Sequence, residues 1–138
     1  VLRSSLSDEP WDHVTSPEGA EAWARADDDA IHVKVRCGRV LDRTVLHSYC
    51  VGAAHMALGW VRSEGLAVDE SGVVHDLTIR SFGVVRASDM PDVRVEIVDD
   101  DAEPINGSDA VFVAVASAVW RFDGWPARWP SQRDVADR

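Results

Sequence analysis

Apolar side chains recur with period two at Ile31, Val33 and Val35, with His32, Lys34 and Arg36 between them. That alternation predicts a half-buried strand. A second strictly alternating run, Val93-Arg94-Val95-Glu96-Ile97-Val98, predicts another. Between them, Thr44 to Glu64 changes period and reads as a helix capped by Asp42 or Thr44. Its middle, Cys50 to Trp60, is apolar or small on nearly every side, which predicts burial on most faces. Gly65 is the expected stop. Leu66 to Asp76 has the form of a hairpin, with turn chemistry in Asp69-Glu70-Ser71-Gly72. Leu77 to Val85 reads as strand or extended chain, and Ala87 to Pro91 as a loop. After an acidic loop from Asp99 to Ser108, a second apolar helix is expected from Ala110 to about Arg121. Ser108 or Asp109 is its expected cap, and Asp123-Gly124 its end.

The segment before Ile31 has two readings. Ser16-Pro17-Glu18 carries helix-start chemistry and supports a short helix from Pro17 to about Ala26. The rival makes Glu21 to Asp27 a strand, turned by Asp27-Asp28-Asp29 into the next one. The element order predicts an α+β domain, an antiparallel sheet with two apolar helices packed on one face. The expected organisation is a polar arm over 1–15, one domain over 16–124 and a Trp/Pro-rich tail over 125–138.

Composition narrows the function classes. The 138 residues include 14 Lys and Arg against 24 Asp and Glu, a formal net charge of −10. That balance argues against nucleic acid and against an anionic membrane surface. No apolar run approaches a membrane span, and Val1 to Leu6 has no apolar signal core, so a cytoplasmic protein is the expectation. Two cysteines, Cys37 and Cys50, do not make a disulfide scaffold.

His47, Cys50 and His55 share one predicted helix but lack HExxH or CxxC spacing, so no metal is expected on them. The runs Asp27–Asp29 and Asp99–Asp101 lack the alternate spacing of a calcium loop and read as turns. No Gly-x-Ser-x-Gly elbow accompanies Ser48 and His47. Of six tryptophans, Trp60 and Trp120 are expected in the core; Trp11, Trp125 and Trp129 are candidates for a partner contact or for folding back.

From Ile31 to Pro130 several patterns run in a familiar order. Asp42 precedes a small-residue helix with Gly52-x-x-x-x-x-Leu58-Gly59. Then come Glu64-Gly65-Leu66, the turn Asp69 to Val74, Phe82-Gly83-Val84-Val85, Ala87 to Val93, and the helix ending Ala116-Ser117-Ala118-Val119-Trp120. This resembles the terminal part of the molybdopterin-binding large subunit of the xanthine dehydrogenase and aldehyde oxidase family, in a degenerate and stand-alone form. The resemblance implies an oxidoreductase context, and it supports the strand reading of Glu21 to Asp27.

The resemblance also implies site positions. Tyr49 stands where the family has a pterin-side Gln, and with Gly52, Gly107 and Ser108 it is a cofactor-binding candidate. Glu103, in Glu103-Pro104, echoes the family's catalytic Glu, with Asp109 as the fallback. Aligning Pro104-x-Asn106 instead deletes that Glu. Charge favours the deletion: Asp99, Asp100, Asp101, Glu103 and Asp109 would oppose an anionic pterin phosphate.

The resemblance therefore implies a lobe that is not catalytic alone, without cofactor unless a partner chain completes a molybdopterin site. A protein partner or a homodimer is expected. The alternative is a cofactor-free descendant that binds a small molecule or a protein, with new chemistry between the buried helix and the acidic loop.

Overall fold

The computed structural model describes residues 10–132. Its main sheet has four strands in the order β1 (Asp12–Thr15), β2 (Glu21–Ala26), β3 (Ala30–Arg36) and β6 (Asp92–Val98). The first two pairings are antiparallel and β3–β6 is parallel. The sheet is thus antiparallel in the main, with one parallel junction. That junction follows from the long excursion between β3 and β6, which carries the chain back to its starting end. The excursion holds α1 (Arg43–Arg62), a small hairpin of β4 (Ala67–Val68) and β5 (Val74–His75), and the one-turn helix α2 (Ile79–Phe82). After β6 comes α3 (Ser108–Phe122). Both long helices lie on one face: α3 over β1, β2 and β3, and α1 beside it, reaching over β6.

The segment ahead of Ile31 is a strand. Ser16 to Gly19 forms a tight turn instead of a helix start, with Gly19 N–H bonded to Ser16 O and Ala20 N–H to Ser16 Oγ. Period two explains the outcome. Ala22, Ala24 and Ala26 are buried while Glu21, Trp23 and Arg25 face the other side, a division no helix from Pro17 could make. The next turn is held by Asp27, whose Oδ1 accepts from Asp29 N–H at 3.0 Å and Ala30 N–H at 2.8 Å. Burial pushes the Asp27 carboxyl up, but those two amides and the His32 ring outweigh it and leave it below its ordinary value.

The core is small-residue packing. Alanines of β2 meet a helix α3 whose buried positions are Ala110, Val111, Ala114, Val115, Ala116, Ala118 and Val119. Ile31, Val33 and Val35 of β3 complete it, with Cys50, Ala53, Ala54, Ala57, Leu58 and Val61 from α1. Each fully buried valine contributes about 1.5–3 kcal/mol.

Three local expectations change and one holds. Residues 77–85 are not extended throughout: Thr78 and Ser81 form a reciprocal cap, and α2 ends on left-handed Gly83. The cap of α3 is neither Ser108 nor Asp109. The helix starts at Ser108 after Gly107, which brings no side chain, while Asn106 Oδ1 accepts from Ser108 N–H at 3.0 Å. Helix α1 is not covered on most faces: Val45, Tyr49, Gly52 and Met56 form an exposed stripe opposite the buried one. Asp42 does cap α1, accepting from Val45 N–H at 2.9 Å.

The expected arm and tail take part in the fold where they are described. The arm's last residues form β1, and Arg121 of α3 ties down Asp12 and the Pro10 carbonyl. The tail turns back onto the helices. Trp120 Nε1–H donates to Pro126 O, Trp125 and Trp129 pack edge-on against Trp120, and Ser131 N–H bonds to Val61 O. Truncation after Gly124 is therefore expected to lower Tm by about 5 °C or more, read by circular dichroism. An unchanged Tm would mean that the tail adds nothing to the fold.

Candidate functional site

The carboxyl ends of parallel strands are where α/β architectures gather function, and here β3 and β6 end together. β3 leads through Cys37 and Gly38 into the cap of α1. β6 leads through Asp99 to Gly107 into α3. Backbone bonds staple the two connections. Arg39 N–H donates to Ala102 O at 2.9 Å, Ile105 N–H to Cys37 O at 3.0 Å, and Val40 N–H to Asp99 Oδ1 at 3.0 Å. The staple requires Gly38. Its φ is +82°, and a Cβ there would run into the Glu103 carbonyl and lie 3.0 Å from Ala102 O.

Of the six residues singled out by sequence, Glu103, Gly107, Ser108 and Asp109 lie on the loop between β6 and α3 and the first turn of α3, while Tyr49 and Gly52 lie further along α1, on its second and third turns. Their side chains do different work. Tyr49 is 63% exposed on the outer face of α1, and Gly52 is one turn further along, with open space where a side chain would go. Glu103 and Asp109 are exposed, and neither carboxylate has a hydrogen bond or ion pair among the described residues. Ser108 is half-buried at the first position of α3. Gly107 is buried. A Cβ on it would sit 3.1 Å from Val35 Cγ2 and 3.3 Å from Cys37 Sγ.

These placements test the fit of an anionic pterin. Gly107 gives up its side chain to internal packing against β3, not to an outward cradle. Asp100 turns onto Ala102 N–H and Asp99 onto Val40 N–H, leaving Asp101, Glu103 and Asp109 as exposed negative charge around the start of α3. The positive end of α3 is therefore screened by carboxylates. By themselves, the residues present do not fit a pterin phosphate.

Of the other chemical candidates, Cys37, Cys50 and His55 are occupied internally. Cys37 and Cys50 are buried. Burial and the neighbouring Cys37 push the Cys50 thiol up to about 12, and burial together with Asp100 raises Cys37. Both are thiols at neutral pH, unsuited to act as nucleophiles. His55 Nε2 bonds to Val85 O at 2.6 Å, and His47 is exposed near the start of α1.

Sequence reasoning missed a groove at the opposite end of α1. Its volume is about 790 Å³, and Leu58, Arg62, Ile79, Arg80, Val84 and Arg86 are among its walls. Arg62 is engaged by Asp123 and Arg86 by Asp89, while Arg80 has no ionic partner among the described residues. One wall is built by α2, whose Thr78–Ser81 cap lies in what the sequence reads as strand or extended chain. No helix among the described residues is long and apolar enough to cross a membrane.

No protein-family model matches this sequence, and no curated protein matches it. Solved structures do match its fold. Against a Cu,Mo-CO dehydrogenase in its carbon monoxide-reduced state the TM-score is 0.59 at 12% identity, covering 76% of this chain and 16% of that one. Quinoline 2-oxidoreductase from Pseudomonas putida 86 gives 0.58 at 16% identity, over 73% of this chain and 14% of that one. Reconstituted CO dehydrogenase from Oligotropha carboxidovorans gives 0.58 at 13% identity, over 76% and 16%. The chain thus has the fold of one part, about a sixth or a seventh, of these oxidoreductase chains.

Proposed function

We propose that this polypeptide is a lobe of a molybdenum hydroxylase-type assembly, in which it serves as structure and is not catalytic alone. The observation that carries this reading is an open half-site. Glu103 and Asp109 stand exposed beside the strand ends where the fold gathers its loops, Tyr49 is exposed on the second turn of α1, and no described residue closes over them. Beside them the outer face of α1 carries Val45, Tyr49 and Met56, at 48, 63 and 54% exposure, with no charged residue between Arg43 and Arg62. A long uncharged apolar stripe is a liability in water and an asset against another protein surface. The small share of the similar oxidoreductase chains that this chain spans supports the same reading, because it has the fold of one part of a larger architecture. The proposed role for Asp99 and Asp100 is to shape the loop, and none of the carboxylates of residues 99–109 is proposed to hold the pterin.

Native mass spectrometry on the protein taken gently from its own cells tests this, with molybdenum measured on the same sample. The expected result is a species containing this chain, a second kind of polypeptide and molybdenum. Species made only of this chain, in one copy or more, would overturn the proposal.

The second reading is a cofactor-free descendant that binds a small molecule, and the groove of about 790 Å³ favours it. That volume lies within the usual range for ligand sites. Apolar walls and the Arg80 guanidinium would suit a small organic acid with an apolar body.

A further inference from the structure

β6 is an edge of the sheet, paired to β3 on one side only. No backbone hydrogen bond joins residues 92–98 to any described residue on the other side. Alternate residues of a strand direct both backbone groups to one side, so about half of this strand holds open donors and acceptors. The opposite edge is blunted: β1 has four residues, and Arg121 reaches over to Asp12 and the Pro10 carbonyl. β6 has seven residues and contains no proline or glycine. Its helix-side residues Val93, Val95 and Ile97 stay only half-buried within this chain.

We infer that β6 pairs antiparallel with β6 of a second copy of this chain, about a two-fold axis at Val95. Charge complementarity along the strand fits this occupant in this register. Centred on Val95, Arg94 of each copy lies opposite Glu96 of the other on the open face of the sheet. On the helix side, Val93 lies opposite Ile97, and Val95 opposite Val95. Centring on Arg94 instead sets arginine against arginine, and centring on Glu96 sets glutamate against glutamate. Like charges directly opposite destabilise a strand pair, and opposite charges support it. Glu96 already lies 3.5 Å from Lys34 of β3, so the pairing continues a charge ladder across the sheet. The two four-stranded sheets become one of eight strands, with helices on the same face in both halves. The apolar stripe of α1 is a separate surface, and this pairing does not depend on the proposed assembly.

Sedimentation velocity on the full chain from about 1 to 100 μM reads the association. The wild type is expected to form a two-copy species. Arg94→Glu or Glu96→Arg alone should weaken it about tenfold or more, and the double swap should recover it, because the cross-strand pairs re-form with signs exchanged. Both side chains are well exposed, at 62 and 67%, so the single variants should keep the wild-type circular dichroism spectrum. A wild type that stays single across the series overturns the pairing. So does a two-copy species indifferent to both single swaps, or a folded double swap that stays single. Hydrogen exchange on the wild type is an independent check. Alternate amides of residues 92–98 should slow at high concentration; equal rates at both ends of the series overturn the proposal.

Discussion

Gly38→Ala is expected to destabilise the chain by about 3 kcal/mol, the sum of left-handed backbone strain and overpacking. Two separate effects act at this position. The φ of +82° puts alanine in the left-handed region, which costs about 1–2 kcal/mol. The new methyl group also meets backbone, the Glu103 and Ala102 carbonyls, which cannot swing aside as the end of a flexible side chain could. Relief requires moving the loop from Asp99 to Gly107, which breaks the bonds from Arg39 N–H to Ala102 O and from Ile105 N–H to Cys37 O. Urea denaturation with the slope held common reads the difference. Gly52→Ala is the control. It lies in the exposed middle of α1 with nothing within 4 Å of its missing Cβ, so alanine should stabilise by about 0.5–1 kcal/mol. If Gly38→Ala falls within 1 kcal/mol of wild type, the strand-end staple is not the constraint described above.

Arg62→Ala is the second large effect, about 2–3 kcal/mol, somewhat less than for breaking a fully buried pair because this one keeps some solvent. The Arg62 guanidinium takes both oxygens of Asp123, at 2.9 and 2.7 Å, and so ties the end of α1 to the end of α3. The pair is mostly shielded, with side-chain exposures of 22 and 12%. Removing the arginine strands the Asp123 carboxylate with only Ser131 Oγ–H, at 3.3 Å. The backbone of Arg62 also anchors Gln132 N–H, so the returning tail should loosen too. Lysine should restore only part of the loss, because one ammonium cannot reproduce the fork. A double-mutant cycle with Asp123→Asn separates the pair from the rest. Losses that simply add would mean the two side chains do not act together.

Wherever one periodicity ran uninterrupted, the fold was legible in the sequence. Ile31 to Arg36 and Val93 to Val98 are strands as their alternation requires, and Asp42 caps the helix that follows it. Asp69 organises its hairpin, accepting from the Ser71 hydroxyl, which with His75 and the Val73 amide holds its carboxyl well below the usual range. At Ser16-Pro17-Glu18, local chemistry and burial period disagreed, and the alternating alanines of β2 won because packing against α3 outweighs a single cap. The Thr78–Ser81 cap was missed because one turn of helix has too few residues to show a period. For the candidate site, collinear motifs singled out Glu103, Gly107, Ser108 and Asp109, which lie beside the strand ends, and Tyr49 and Gly52, which lie further along α1. No spacing rule could tell that Gly107 is packed from within against Val35 and Cys37, or that the outer stripe of α1 has no cover among the described residues.

The parallel junction of β3 with β6 also sets an order of events for a chain that has just unfolded. β1, β2 and β3 are joined by short turns and can zip as a meander. β6 can join only after the whole stretch from Cys37 to Pro91 has been gathered into a closed loop, and that closure costs entropy before any contact offsets it. The kinetic bottleneck therefore belongs to the last strand. Until it docks, the inner edge of β3 is bare as well, so a half-folded molecule offers a sticky strand that the finished one has already covered.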